Sequence, residues 1–261
     1  ITIIPLQVSF PDESFKETEV DYNYFYSKIG ETGIIPTSSQ PSPENMYEVF
    51  ENLVSKGIEV LAVFISASMS GTYETALSVK DRILRKYPGA KIEVLNSRTN
   101  CMAMGLSVVA AARAAREGKS LTEVLDSAVQ ILKKVRFYFI PTTLEYLKKG
   151  GRIGGAAALV GSILNLRPIL YVKNGETALL ETVRGTGRAI KRMLNLLDSD
   201  CKAHGLKSVL IHHIHAPEKA RELAQTVMEK YNVDAPLVSI GPVIGLHVGP
   251  GTIGIVYCTD D

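Results

Sequence analysis

The sequence predicts an α/β protein in two domains. Residues 1–145 read as a parallel α/β domain with helices on both faces of the sheet. Residues 146–261 read as a smaller α+β domain with an antiparallel sheet. Three observations lead there. Strand-like and helix-like segments alternate with short turns through the first half, the pattern of parallel strands joined by crossover helices. The run Ile58–Ser66 (IEVLAVFIS) is nearly unbroken in its apolar character, as a strand covered on both faces must be. Past Pro141 the chain becomes rich in glycine and alanine, and Asn174-Gly175 stands between two β-like runs, the mark of a two-residue hairpin.

Taken in order, the opening ITIIPLQVSF is β-rich. A helix follows with Ser42 as N-cap, Pro43 in its first turn and Gly57 as its stop. After the apolar strand comes a helix from about Gly71 to Tyr87, then strand KIEVLNS. The next helix, from Cys101, is closed by Gly118. A capping box, Ser120 to Glu123, opens another, and strand RFYFI ends the parallel series. Beyond it, residues 142–165 read as two short helices around a Gly-Gly turn. The hairpin, a helix over 187–205, strand KSVLIHHIHA, a helix from Pro217 to about Tyr231 and two closing β segments complete the chain.

Composition narrows the function. The 261 residues are 46% hydrophobic, enough for a substantial core, and carry a net charge of +2 with both signs dispersed. That balance argues against a nucleic-acid surface. The longest small-apolar stretch, Gly154–Leu164, falls short of the roughly 18 residues a membrane span needs. No signal peptide is read at the first residues. Cys101, Cys201 and Cys258 are scattered and odd in number, which fits reduced thiols in a cytoplasmic setting.

Four polar stretches stand out. Ser66, Ser68, Ser70, Thr72 and Gly71 crowd the junction between the apolar strand and its helix. In a parallel sheet, ligands dock beyond the strands' carboxyl ends, where helix N-termini present free N–H groups. Ser70 as a simple N-cap is the alternative. Thr37, Ser38 and Ser39 lie in a proline-bounded turn, and capping by Ser42 does not account for them. Gly249–Gly254 spells G-x-G-x-x-G, but it carries Pro250 and runs into a strand, so it is no dinucleotide fingerprint. Its neighbour His247 sits where glycines let a ligand approach. His213 and His215 share a strand face, yet no third ligand stands at suitable spacing, so no metal is expected. Arg152, Arg184 and Arg188 are cations in glycine-rich turns, for which plain solvation is the simplest account.

Together, TSSQPSP (37–43), SMSGTYETA (68–76), EYLKKGGRIGGAAALVGSILNLRPIL (145–170), VRGTGRAI (183–190) and HVGPGTIGIVY (247–257) resemble the successive landmarks of the DegV family, in order and over nearly the whole chain. The resemblance implies a two-domain DegV-type fold with a long-chain fatty acid bound between the domains. It also implies the role of the FakB-type members. These present the fatty acid's carboxyl group to a separate ATP-binding fatty acid kinase subunit, which makes an acyl phosphate for phospholipid synthesis. By position, Ser38, Ser70, Gly71 and His247 would hold the carboxylate, and Arg184 would meet the kinase. No cofactor, no catalysis by the chain itself and a monomeric state are expected. The family usually opens with a further strand ending in a Thr-Asp-Ser-like turn, so that first N-terminal strand is expected to be absent from this chain.

A lipid fits the physics. Burying an acyl chain gains about 0.8 kcal/mol per CH₂. The carboxylate is the costly part unless donors surround it. Ala156, Ala157, Ala158, Gly161 and Ser162 are small enough to leave room for a tail. Two competing readings are a serine esterase or acyl transferase using Ser70 and His247, and a phosphoryl carrier. The sequence SMSGT is not the G-x-S-x-G elbow of the first, and no acid is placed to orient the histidine.

Overall fold

Two short strands, β1 (Gln7–Ser9) and β2 (Ser14–Lys16), open the chain in a computed structural model that describes residues 1–159 and 166–261. The β-rich opening thus reduces to three residues of strand. Helix α1 (Tyr22–Thr32), which the sequence reading did not separate, follows. Asp21 caps it by accepting from the Tyr24 N–H at 2.8 Å, and Gly33 ends it at φ 67°. Strand β3 (Thr37–Ser39) then joins β1 and β2 in a three-stranded sheet of order β2-β1-β3.

Helix α2 (Pro43–Val54) starts as expected, with the Ser42 hydroxyl accepting from Asn45 N–H at 3.1 Å. Strands β4 (Val60–Phe64) and β5 (Ile92–Asn96) pair in parallel, separated by α3 (Thr72–Lys86). Helices α4 (Cys101–Arg116) and α5 (Leu121–Lys134) follow, the second opened by the predicted Ser120–Glu123 capping box. The period of two along the strands sorts the faces. Val60, Ala62 and Phe64 pack against Met46 and Phe50 of α2 and Ala76, Val79 and Ile83 of α3. Leu61 and Leu95 lie against Ala111 and Ala114 of α4 and Val124 and Ala128 of α5.

Strand β6 (Val135–Ile140) departs from the expectation. It is not a parallel neighbour of β4 and β5 but lies antiparallel to two later strands. After α6 (Glu145–Lys149) and a 3₁₀ turn over Gly154–Leu159 come β7 (Leu166–Lys173) and β8 (Glu176–Arg184). Asn174 and Gly175 join them at φ 53° and 89°, both positive as a two-residue hairpin turn demands. Then come α7 (Thr186–His204), β9 (Ser208–His213), α8 (Pro217–Tyr231), β10 (Leu237–Ser239), α9 (Pro242–Val248) and β11 (Ile253–Cys258). The six-stranded sheet runs β10-β9-β11-β6-β7-β8, parallel only between β9 and β10. Ala189, Met193 and Leu197 of α7 and Leu223 and Val227 of α8 share a core with Ile211, Ile255 and Tyr257 of this sheet.

The chain forms two compact units, one from residues 1–7 and 39–133, the other from 8–38 and 134–261. A single boundary near residue 145 groups the segments differently. Two contacts explain the difference: β6 hydrogen-bonds to β11, and Tyr26 of α1 stacks on His215 at 5.1 Å between ring centroids. Both partners lie far along the chain, beyond the reach of local pattern.

Candidate functional site

The second unit brings together two of the residues singled out in the sequence. Ser38 sits in β3 and His247 in the last turn of α9, and Ser38 Oγ lies 2.8 Å from His247 Nε2. Helix α9 was not expected, because glycines at both ends of GPVIGLHVG disguise a seven-residue helix. Pro242 at its first position was the available signal. Beyond it the chain turns sharply through Gly249 at φ 94° and Gly251 at φ 83°. Thr252 Oγ1 donates to the Gly249 carbonyl at 2.8 Å and so fixes the turn.

His247 is largely buried. Desolvation, helped by the charge of Arg152, pushes its pKa down to about 4, so the ring is neutral at pH 7. Its other nitrogen, Nδ1, is buried and hydrogen-bonded to nothing among the described residues. That atom lies against Gly150, where an added Cβ would fall 2.2 Å from it. The sequence reading passed over Gly150 as one half of a Gly-Gly turn.

In the first unit, Ser70 and Gly71 stand between β4 and α3. The N-cap of α3 is Gly71, not Ser70. Ser70 is one residue too early, because the turn Ser66–Ser70 closes first, with Ser70 N–H donating to the Ser66 carbonyl at 3.1 Å. The Ser70 hydroxyl lies 2.8 Å from that of Thr72, forming a short hydroxyl chain at the helix entrance. Gly71 has an ordinary φ of −68°, so its lack of a side chain matters for approach, not for backbone freedom. A Cβ there would meet Gln40 Oε1 at 2.6 Å, and Gln40 is held by donating Nε2–H to Thr75 Oγ1 at 2.9 Å. Thr72, one of the hydroxyls expected at this junction, and Gln40, which was not expected here, therefore both belong to this corner. The first N–H groups of α3 give it the positive end of a fifteen-residue helix.

Arg184 ends β8, exposed, just before Gly185 and α7. His213 closes β9, but His215 lies past the strand at φ 47°, so the two do not share a strand face. Among the described residues no three His, Cys, Asp or Glu side chains are grouped to hold a metal ion. No helix among them is long and apolar enough to cross a membrane. Gly161 and Ser162 lie outside the described residues, whereas Ala156, Ala157 and Ala158 fall in the 3₁₀ turn.

The chain is similar over nearly its whole length to proteins of one family. The model of the family described as "Uncharacterised protein, DegV family" matches residues 1–260. A DegV domain-containing protein of Clostridium acetobutylicum is 50% identical over 260 residues, covering 100% of this chain and 91% of the relative. Two solved structures are each 30% identical, covering 98% of this chain and 90% of theirs. One is DegV from Bacillus subtilis, described as a fatty acid binding protein (TM-score 0.86). The other is a DegV family protein from Thermus thermophilus, described by its fatty acid binding (TM-score 0.87).

Proposed function

This chain belongs to the DegV family, and on that premise we propose that it is a fatty acid carrier. It binds a long-chain fatty acid by the carboxylate and presents that group to a separate ATP-binding kinase subunit. On the partner, a carboxylate oxygen bonds to the transferred phosphoryl group and ADP leaves, giving the acyl phosphate. Ser38, His247, Ser70 and the Gly71 N–H are the donors this reading assigns to the carboxylate. Arg184, exposed at the end of β8, faces the kinase.

The observation that carries this reading is the Ser38–His247 pair. A buried carboxylate needs hydrogen-bond donors around it. A hydroxyl backed by a neutral, desolvated imidazole supplies one without introducing a second buried charge. The solved relatives described as fatty acid binding support the ligand class.

An esterase using Ser70 and His247 is less well supported. Nε2 of His247 is engaged by Ser38, and the Ser70 hydroxyl by Thr72. Nδ1 meets no carboxylate among the described residues, so nothing orients the ring as a catalytic base. No cofactor, no catalytic residue and no second copy of the chain enter the proposal, and the setting is cytoplasmic.

The test is mass spectrometry of the organic extract from protein purified out of a bacterial host. A Ser70→Ala/His247→Ala double variant, shown by circular dichroism to be folded, is the control. Near-stoichiometric fatty acid that disappears in the control is the expected result. An empty extract from folded native chain overturns the proposal.

A further inference from the structure

We infer that Gly150 is a positioning residue that fixes the tautomer of His247 and so aims the Ser38 hydroxyl proton at the ligand. The inference rests on the carrier reading for its purpose but not for its geometry. It starts from the two ring nitrogens, which stand in different surroundings. Nε2 is 2.8 Å from Ser38 Oγ, while Nδ1 is buried with no hydrogen-bond partner among the described residues.

A neutral imidazole carries one N–H and one lone pair. If the proton sat on Nδ1, a buried N–H would be orphaned against the backbone of Gly150. An unpaired lone pair is the cheaper of the two defects, because orphaned buried donors are the rarer and costlier case. The proton therefore sits on Nε2 and is donated to Ser38 Oγ. The serine hydroxyl, its lone pair satisfied by the histidine, keeps its own proton free to donate to a carboxylate. The opposite tautomer would turn that proton back to the ring and present only acceptor lone pairs to an anion.

Gly150 makes this arrangement possible by its size. It is the C-cap of α6 at φ −75° and ψ −7°, where alanine is as comfortable as glycine. What alanine cannot do is fit. Its Cβ would stand 2.2 Å from Nδ1, 3.0 Å from Cε1 and 3.2 Å from the Tyr146 carbonyl oxygen. Arg152 strengthens the arrangement, because its guanidinium donates to the Gly150 carbonyl at 2.5 Å and its charge disfavours a doubly protonated ring.

The experiment has two arms. In the first, the whole chain is labelled with magnetic nitrogen and the imidazole proton–nitrogen correlations are recorded at neutral pH. His247 is assigned by its loss in His247→Asn. A pyridine-like Nδ1 and a pyrrole-like Nε2 are expected, and the reverse pattern overturns the inference whether or not lipid binds.

In the second arm, retention of palmitic acid is titrated for native chain, Gly150→Ala, Ser38→Ala and the double variant. Gly150→Ala should weaken retention roughly tenfold to hundredfold, the weight of one hydrogen bond to a charged group. It should add little in the Ser38→Ala background, since both act through one bond. Full retention by Gly150→Ala, or additive losses in the double variant, overturns the inference. Failure of the native chain to retain palmitic acid counts against the carrier reading instead, and the spectrum still decides the tautomer.

Discussion

At the Ser38–His247 corner the imidazole Nδ1 is buried against Gly150, and the hydroxyl and Nε2 that meet are half-buried. Around Ser70, itself half-buried, Ser66 and Thr72 are buried while Ser68 and Gly71 are exposed at the entrance of a helix. The glycines repeat the contrast. Gly249 has a φ only glycine adopts easily and touches the Tyr146 ring, and Gly150 touches the imidazole. Gly71 has an ordinary φ and meets only the tip of the exposed Gln40 side chain. Both corners offer donors to an anion, but the glycines of the first are pressed against rings and the glycine of the second against a flexible side chain. In the first, substitutions should cost folding and binding together. In the second, binding should be separable from stability.

Gly249→Ala is expected to have the largest effect, a loss of about 3 kcal/mol in urea unfolding. It combines a backbone conformation open almost only to glycine with overpacking against Tyr146. A loss under about 1 kcal/mol would break the contrast, since Gly249 would then behave like a surface glycine.

Acid should come next. His247 and His212 are both held at a pKa of about 4 by burial, against an ordinary 6.5. The unfolded chain therefore takes up more protons between these values, and stability falls as pH drops through that window. The loss is on the order of 3 kcal/mol per histidine by pH 4, and none of it is present above the ordinary pKa. Denaturant titrations across the window should show a shallower fall for His247→Gln than for the native chain. Identical slopes would mean His247 is not buried as a neutral ring.

Binding should separate the serines. Ser38→Ala strands the half-buried Nε2–H of His247 and should weaken fatty acid binding roughly thirtyfold. Ser70→Ala leaves the Thr72 hydroxyl and the α3 N-terminus in place, so about fivefold is expected. Displacement of a fluorescent fatty acid measures both, and equal losses would erase the distinction between the corners. The smallest effect should be Gly71→Ala, at about 1 kcal/mol or less of stability, as Gln40 can swing aside. A thermal shift as large as that of Gly249→Ala would show that the first corner is packed just as tightly.

What could be read from the sequence was local. Ser42 with Pro43, Ser120 with Glu123 and Asn174 with Gly175 act over a few residues, and each forms the cap or turn that its chemistry demands. Helix α1 escaped although Asp21 and Gly33 punctuate it, because Tyr22, Tyr24, Phe25 and Tyr26 favour strand as readily as helix. Strand β6 read as parallel because a helix precedes it, while its true partners begin at Leu166 and Ile253. For the site, the family landmarks pointed to Ser38, Ser70, Gly71 and His247. The geometry did not follow from them: neither the Ser38–His247 bond nor the fit of Gly150 has a signature within one stretch of chain.

Ser38 and His247 are 209 residues apart in the chain. On a translating ribosome, at about 5–20 residues per second, roughly ten to forty seconds pass between the emergence of one and of the other. Residues 39–133 can fold as a continuous piece within that interval. Residues 8–38 must wait for the final strands before their own unit closes. On the carrier reading, a half-made chain would therefore lack the Ser38–His247 pair proposed to meet the acyl head group until α9 has emerged.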